Sequence, residues 1–184
     1  TTSNEQGGIH VDQHALAYSP SNPSRLWVGN DGGVWRTDDA AGATPLAWEN
    51  LNTNLALLQF QSVAVHPTDT MPIHGGTQDN GTNRTPDGSV GNWENIWGGD
   101  GFYVLVDYNN SNLIYAESQY GALVRSTDGG FGWLDGTYGI DASEPTNWST
   151  PVIMDPNSSN VLYYGTHSLY RTTDGAASWT KISP

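Results

Sequence analysis

Four times along the chain an arginine is followed by a hydroxyl residue, one further residue and an aspartate: Arg36-Thr37-Asp38-Asp39, Arg84-Thr85-Pro86-Asp87, Arg125-Ser126-Thr127-Asp128 and Arg171-Thr172-Thr173-Asp174. The copies take in four of the five arginines, and their aspartates lie 48, 41 and 46 residues apart. A tryptophan follows each copy, at Trp48, Trp93, Trp133 and Trp179, which accounts for half of the eight in the chain. A period of that length is one supersecondary unit that buries its faces against copies of itself.

Upstream of each copy a second pattern keeps step: an apolar run, a turn rich in Pro, Asn and Ser, then another apolar run, as in Tyr103 to Val106 followed by Leu113 to Ala116. Each unit therefore reads strand, turn, strand, loop, strand, aspartate turn, strand. Four short antiparallel strands per unit predict an all-β chain, a β-propeller of four-stranded blades in which radial repetition protects the sheet edges. The blades are expected at residues 10–52, 58–97, 100–136 and 147–183 of a single propeller segment, 1–184. Their inner strands fall near 14–19, 61–66, 102–107 and 150–154, and the aspartate turns at 37–42, 85–91, 126–132 and 172–178. The fourth unit leaves no spare strand to latch the first sheet to the last. The reading therefore expects a larger ring of about seven to ten blades, completed by further chain, a second copy or neighbours in an assembly.

Composition narrows the partners. Six Lys and Arg against 19 Asp and Glu give a formal charge of −13, a field that repels phosphate backbones and anionic membrane surfaces. Nucleic acid is thereby excluded. No apolar run approaches the ~18–20 residues that span a bilayer, so no membrane insertion is expected, and the chain carries no signal-peptide pattern at its amino terminus. With no cysteine there is neither a disulfide framework nor a thiolate metal site.

Ser126-x-Asp128-x-Gly130-x-x-Trp133 matches the full Asp-box, or BNR, pattern, and the other copies are degenerate versions in phase with it. On these motifs the chain resembles the Asp-box β-propellers of the sialidase-like and sortilin-like superfamily. The phrases His10-Val-Asp-Gln-His14-Ala, Gly29-Asn-Asp-Gly-Gly33, Gly75-Gly-Thr-Gln-Asp-Asn-Gly81 and Ala116-Glu-Ser-Gln-Tyr-Gly121 are similar to a subgroup of large secreted bacterial BNR-repeat proteins. The resemblance implies a secreted or cell-surface location. Asp39, Asp87, Asp128 and Asp174, with Trp48, Trp93, Trp133 and Trp179, are expected to be structural: the carboxylate accepts backbone N–H bonds inside its turn and the tryptophan packs beneath. The four repeat arginines occupy one repeat position and so do not converge on one anion, which counts against sialidase chemistry.

In a propeller blade the loop entering the inner strand and the loop between strands two and three open on one face, opposite the aspartate turns. That face is expected to hold the ligand through Asp12, Asp31, Gln78, Asp79, Asn80, Asp100, Glu117, Gln119, Tyr120, Trp148 and His167, because these loops differ from blade to blade while the turns repeat. Asp31, Asp79 and Asp100 are the candidate catalytic carboxylates, an acid and base pair for a glycosidic bond, although Asp and Asn beside glycine also make simple Asx turns. His10-x-Asp12-x-His14 places three metal-capable groups on one side of an extended strand. No motif requires a cofactor, and an oxygen-rich cluster near the axis would suit Ca²⁺. Three functions compete: a module that binds a glycan or protein ligand, a glycoside hydrolase similar to the xyloglucan-degrading Asp-box propellers, and a structural subunit of a surface layer or filament. The first is the primary expectation, since no complete catalytic set is visible.

Overall fold

The computed structural model describes residues 9–42, 45–55 and 58–184; the amino-terminal stretch read above, with residues 43–44 and 56–57, lies outside them. The described residues form four antiparallel four-stranded sheets with no α-helix, each a meander in chain order, as in a propeller blade. The chain divides into two compact units, residues 1–58 and 59–184.

The first unit carries β1 (Gln13–Tyr18), β2 (Leu26–Asn30), β3 (Gly33–Thr37) and β4 (Glu49–Asn50). Every residue of β1 is exposed, and the buried pair is Val28 on β2 opposite Trp35 on β3. One sheet by itself buries little apolar surface, which is why this blade depends on local turn bonding. Asn52 shows this: its Oδ1 accepts the Val34 N–H at 2.8 Å and its amide donates to Gly32 O at 3.0 Å, closing the β2–β3 hairpin from the far side.

The second unit holds three blades. They are β5 (Phe60–Val65), β6 (Ile73–Thr77), β7 (Gly81–Thr85) and β8 (Glu94–Trp97); β9 (Gly101–Asp107), β10 (Asn110–Ser118), β11 (Ala122–Ser126) and β12 (Leu134–Asp135); and β13 (Val152–Asp155), β14 (Ser158–Gly165), β15 (Leu169–Thr172) and β16 (Thr180–Lys181). The inner strands start within two residues of the expected positions. Each of the four repeat tryptophans immediately precedes the fourth strand of its blade, and each repeat arginine faces the residue after that tryptophan: Arg36 opposite Glu49, Arg84 opposite Glu94, Arg125 opposite Leu134, Arg171 opposite Thr180. The arginines therefore sit at one blade position, as the spacing requires.

The aspartate turns explain why the repeat is conserved along the chain. In the third blade Ser126 Oγ donates to Asp128 Oδ1 at 2.7 Å and accepts the Gly130 N–H at 2.8 Å, while Asp128 Oδ1 accepts the N–H groups of Phe131 and Gly132 at 3.1 and 2.8 Å. The fourth blade repeats the scheme with Thr172, Asp174, Ala176, Ala177 and Ser178. Ala176 occupies the left-handed conformation, φ 59°, that Gly130 takes at φ 93°. The tryptophan then reaches backwards: Trp133 Nε1 donates to Ile96 O of the second blade at 2.8 Å, and Trp179 Nε1 to Gly136 O of the third at 2.6 Å. Replacing the fully buried Ser126 by alanine removes the hydroxyl that accepts the buried Gly130 N–H; we expect a loss of about 1–2 kcal/mol in urea unfolding, with Thr172→Val giving the same loss one blade on.

At Gly76 and Gly101 blades two and three approach without side chains between them. A Cβ on Gly76 would lie 2.1 Å from Phe102 O, and one on Gly101 would lie 2.3 Å from Gly81 O, so bare backbone meets bare backbone there. Blades three and four are joined by an aromatic core of Tyr115, Leu123, Val152, Leu162, Tyr164, Tyr170, Ala176 and Trp179.

Candidate functional site

In the second unit the expected loops do converge. The β6–β7 loop folds as a tight turn, with Thr77 Oγ1 donating to Gly81 O at 2.7 Å and Asn83 Nδ2 donating to Thr77 Oγ1 and Asn80 O at 2.8 and 2.9 Å. The turn places Asp79 in the left-handed region, φ 63°. Its N–H donates to Asp100 Oδ1, on the loop entering β9, at 2.7 Å; the Asp100 N–H in turn donates to Gln119 Oε1, after β10, at 2.8 Å. Asp79, Asp100 and Gln119 are thus neighbours in one network across two blades, with Gln78 and Asn80 in the same half-buried turn. The next loop joins through Tyr120, whose N–H donates to Trp148 O at 2.8 Å. Tyr120, held at φ 60°, is 68% exposed and Trp148 41%, so the backbone bond ties together two aromatic residues that both reach solvent. His167 is exposed on the β14–β15 loop, where its N–H donates to Pro145 O at 3.0 Å.

Glu117 is elsewhere. It was expected among the exposed ligand contacts, but its side chain turns inward and is fully buried: Oε1 accepts the Thr150 N–H at 3.0 Å and Oε2 the Tyr103 N–H at 3.4 Å. Burial pushes its carboxyl up to about 7, against the backbone donors of Thr150, Tyr103 and Gly121, which favour the ionised form. Glu117 is therefore a clamp that ties the entry to the fourth blade onto the third, and does not reach a ligand on the surface. Glu144, on the same face, is committed as well: it accepts from Thr166 Oγ1 at 2.5 Å, Ser168 Oγ at 2.9 Å and Lys181 Nζ at 3.0 Å, led by the Thr166 hydroxyl, and these bonds hold it down to about 2.

The first unit also departs from expectation. Strand β1 begins only at Gln13, and Asp12 sits in the left-handed region at φ 61°, which breaks the alternation that would have set His10, Asp12 and His14 on one side. The two histidines have separate partners: His10 Nδ1 lies 3.0 Å from Val11 O, whereas His14 Nε2 pairs with Asp31 Oδ1. Among the described residues these three do not gather at metal-binding distance. Asn30 Oδ1 accepts the Gly32 N–H at 3.0 Å, the Asx turn that Asn-Asp-Gly suggests, and its amide donates to His10 O at 3.1 Å.

Two features have no counterpart in the sequence reading. A polar pocket of about 180 Å³ opens where β5, β9 and the segment before β13 meet, lined by Gln61, Ser62, Phe102, Tyr103 and Ser149. Behind blade two, His74 is buried with both ring nitrogens unpartnered among the described residues; burial, reinforced by the Arg84 charge, pushes its imidazole down to about 4. The pocket comes from segments about 40 residues apart and His74 from the polar interior of one sheet, so no local motif announces either.

Comparison with known proteins follows the same lines. No protein-family model matches the chain. It is 27% identical over 140 residues, 67% of its length, to a xyloglucanase of Hypocrea jecorina (strain QM6a), of which it covers 16%. A xyloglucanase of a Paenibacillus species is 30% identical over 101 residues, 52% of this chain and 8% of that protein. The crystal structure of an ancestral GH74 enzyme superposes with a TM-score of 0.58 at 20% identity, over 94% of this chain and 24% of that one. The chain thus spans less than one fifth of the curated relatives it matches, and the structural likeness establishes a propeller fold.

Proposed function

We propose that this chain is part of an Asp-box propeller of glycoside hydrolase type that acts on a neutral, branched β-glucan of the xyloglucan class. The observation that carries this reading is the similarity to one xyloglucanase across two thirds of the chain and to a second across half of it. The loop face supports it: Asp79 and Asp100 stand on adjacent loops of one rigid network, and Tyr120 and Trp148 offer exposed rings on which sugars stack. A polymer substrate does not enter cells, which places the protein outside them. Further blades, from more chain or from a second copy, complete the cleft.

A noncatalytic binding role is the second reading, and one observation favours it: Asp100 accepts the Asp79 N–H while its own N–H is held by Gln119, a set of bonds that a purely structural loop would also make. Reducing-sugar release separates the two. We expect the full-length protein to cleave xyloglucan, and Asp79→Asn or Asp100→Asn to lower turnover by a factor of about 10² or more without moving the unfolding midpoint. Retention of xyloglucan on an affinity column with no cleavage would establish the binding role; neither retention nor cleavage would refute the reading.

A further inference from the structure

At the seam between blades three and four, among the described residues, a fully buried carboxyl group has no charged partner. Three N–H groups from three segments point at Glu117: Thr150, on the entry to β13, at 3.0 Å from Oε1; Tyr103, on β9, at 3.4 Å from Oε2; and Gly121, in the turn after β10. The packed elements offer it no charge: Leu123 lies opposite on β11, and β14 brings the Tyr164 phenol near. The other titratable side chains around it lead elsewhere, Tyr103 to the polar pocket, Tyr120 into solvent and Glu144 onto Thr166, Ser168 and Lys181.

What Glu117 holds is weakly attached otherwise. Residues 141–151 form no strand, so this entry segment is fastened by single bonds in place of a ladder. It reaches blade three through the Thr150 N–H on Glu117, the Trp148 carbonyl on the Tyr120 N–H at 2.8 Å, the Thr146 hydroxyl on Tyr120 O at 3.0 Å, and the Trp148 ring against Phe102. A buried carboxylate without a cation lowers its energy by binding a proton or by admitting water. Protonated, it keeps Oε1 to accept the Thr150 N–H while Oε2, the weaker acceptor, carries the proton. Ionised, it needs water, and the aromatic core of Tyr115, Leu162 and Tyr164 is closed to it. The entry segment is the part that gives way at least cost.

We infer that Glu117 is a pH-sensitive latch: protonated, it holds the entry segment, and Trp148 with it, against the third blade, and its ionisation releases that segment, whatever the loop face binds. Latched, the carboxyl is pushed up to about 7 by burial; released and hydrated, it returns to the ordinary 4.5. The preference for the latched state is therefore full below 4.5 and is lost as pH rises to about 7, and the open fraction grows about 300-fold across that range. An aromatic residue of the loop face is thereby fixed in mild acid and freed near neutrality.

The test is amide hydrogen exchange followed by NMR on the full chain and expressed as protection, which removes the intrinsic pH dependence of exchange. The Thr150 N–H should lose protection about tenfold per pH unit between pH 5 and 6.5, while Leu162, in the core on β14, stays level. Glu117→Gln keeps an acceptor for Thr150 and removes the titration, so its Thr150 protection should not change with pH. Should that variant lose cooperative unfolding, Glu117→Met, uncharged and of similar length, takes its place, with lower but equally level protection. Thr150 protection independent of pH in wild type, or falling as steeply in the uncharged variant, would overturn the latch. A parallel fall at Leu162 would overturn it too, because the opening would then be that of the whole unit.

Discussion

Trp179→Ala is expected to destabilise the second unit by about 3–5 kcal/mol, read as a fall in the urea midpoint at unchanged slope. The ring is 5% exposed, lies 5.6 Å from the Tyr164 ring and belongs to the core between blades three and four. Its removal opens a cavity in contact with Leu162 and Tyr170 and frees the Gly136 carbonyl, so transfer, cavity and hydrogen-bond losses act together. Trp179→Phe keeps most of the volume and isolates the bond to Gly136 O, with an expected cost of about 1–2 kcal/mol. Trp93, at the matching place in blade two, is 38% exposed and leans on Phe60 with ring centroids 5.2 Å apart. Its alanine variant should lose much less. Equal losses at Trp93 and Trp179 would show that the core between blades three and four is not what fixes the effect.

The second large effect lies in pH. Glu117 is raised to about 7 in the folded chain, so the stability associated with its protonated form is fully present below the usual carboxylate value near 4.5 and is lost as pH rises to about 7. His74 is lowered to about 4, so its neutral form contributes stability above 6.5 that is lost as pH falls towards 4. The two slopes have opposite sign and similar size, about 3 kcal/mol each over the full range, and between pH 4.5 and 6.5 they cancel. Wild type should therefore show nearly level stability there. Glu117→Gln removes one slope and exposes the other: its stability should rise with pH from about 4 to 6.5. His74→Phe should do the reverse, falling from about 4.5 to 7. Parallel curves for wild type and Glu117→Gln would show that the buried carboxyl does not titrate in this range. Below about pH 4 all variants should share an acid limb, because Asp87, Asp174 and Glu144 are held near 2 by hydrogen bonds that protonation weakens.

The repeat was legible because its bonds are local. Ser126, Asp128, Gly130 and Gly132 span seven residues and bond to one another, so the pattern of letters is the pattern of hydrogen bonds, and the strands on either side follow at fixed distances. The convergence of Asp79, Asp100 and Gln119 followed from blade topology alone. Glu117 was misjudged because its environment is set by Thr150, 33 positions away, and the polarity of its loop phrase suggested the opposite. His10-x-Asp12-x-His14 failed for a different reason: alternation holds only along extended backbone, and one left-handed residue, Asp12, cancels it. The pocket lined by Gln61 and Ser149 was invisible, since its walls come from three blades and no single repeat records how they approach.

In blades three and four the tryptophan that closes the aspartate turn donates to the blade made before it: Trp133 to Ile96, Trp179 to Gly136. On a ribosome this sets a direction. The acceptor carbonyl of each new latch has already left the exit tunnel, seated in a finished sheet, when its tryptophan emerges. Blades three and four can therefore each zip onto the blade before without waiting for distant sequence, a growth mode in which nearest-neighbour coupling replaces long-range search. A chain stalled between Asp128 and Trp133 would leave the Ile96 carbonyl open, and resumption of synthesis would fill it.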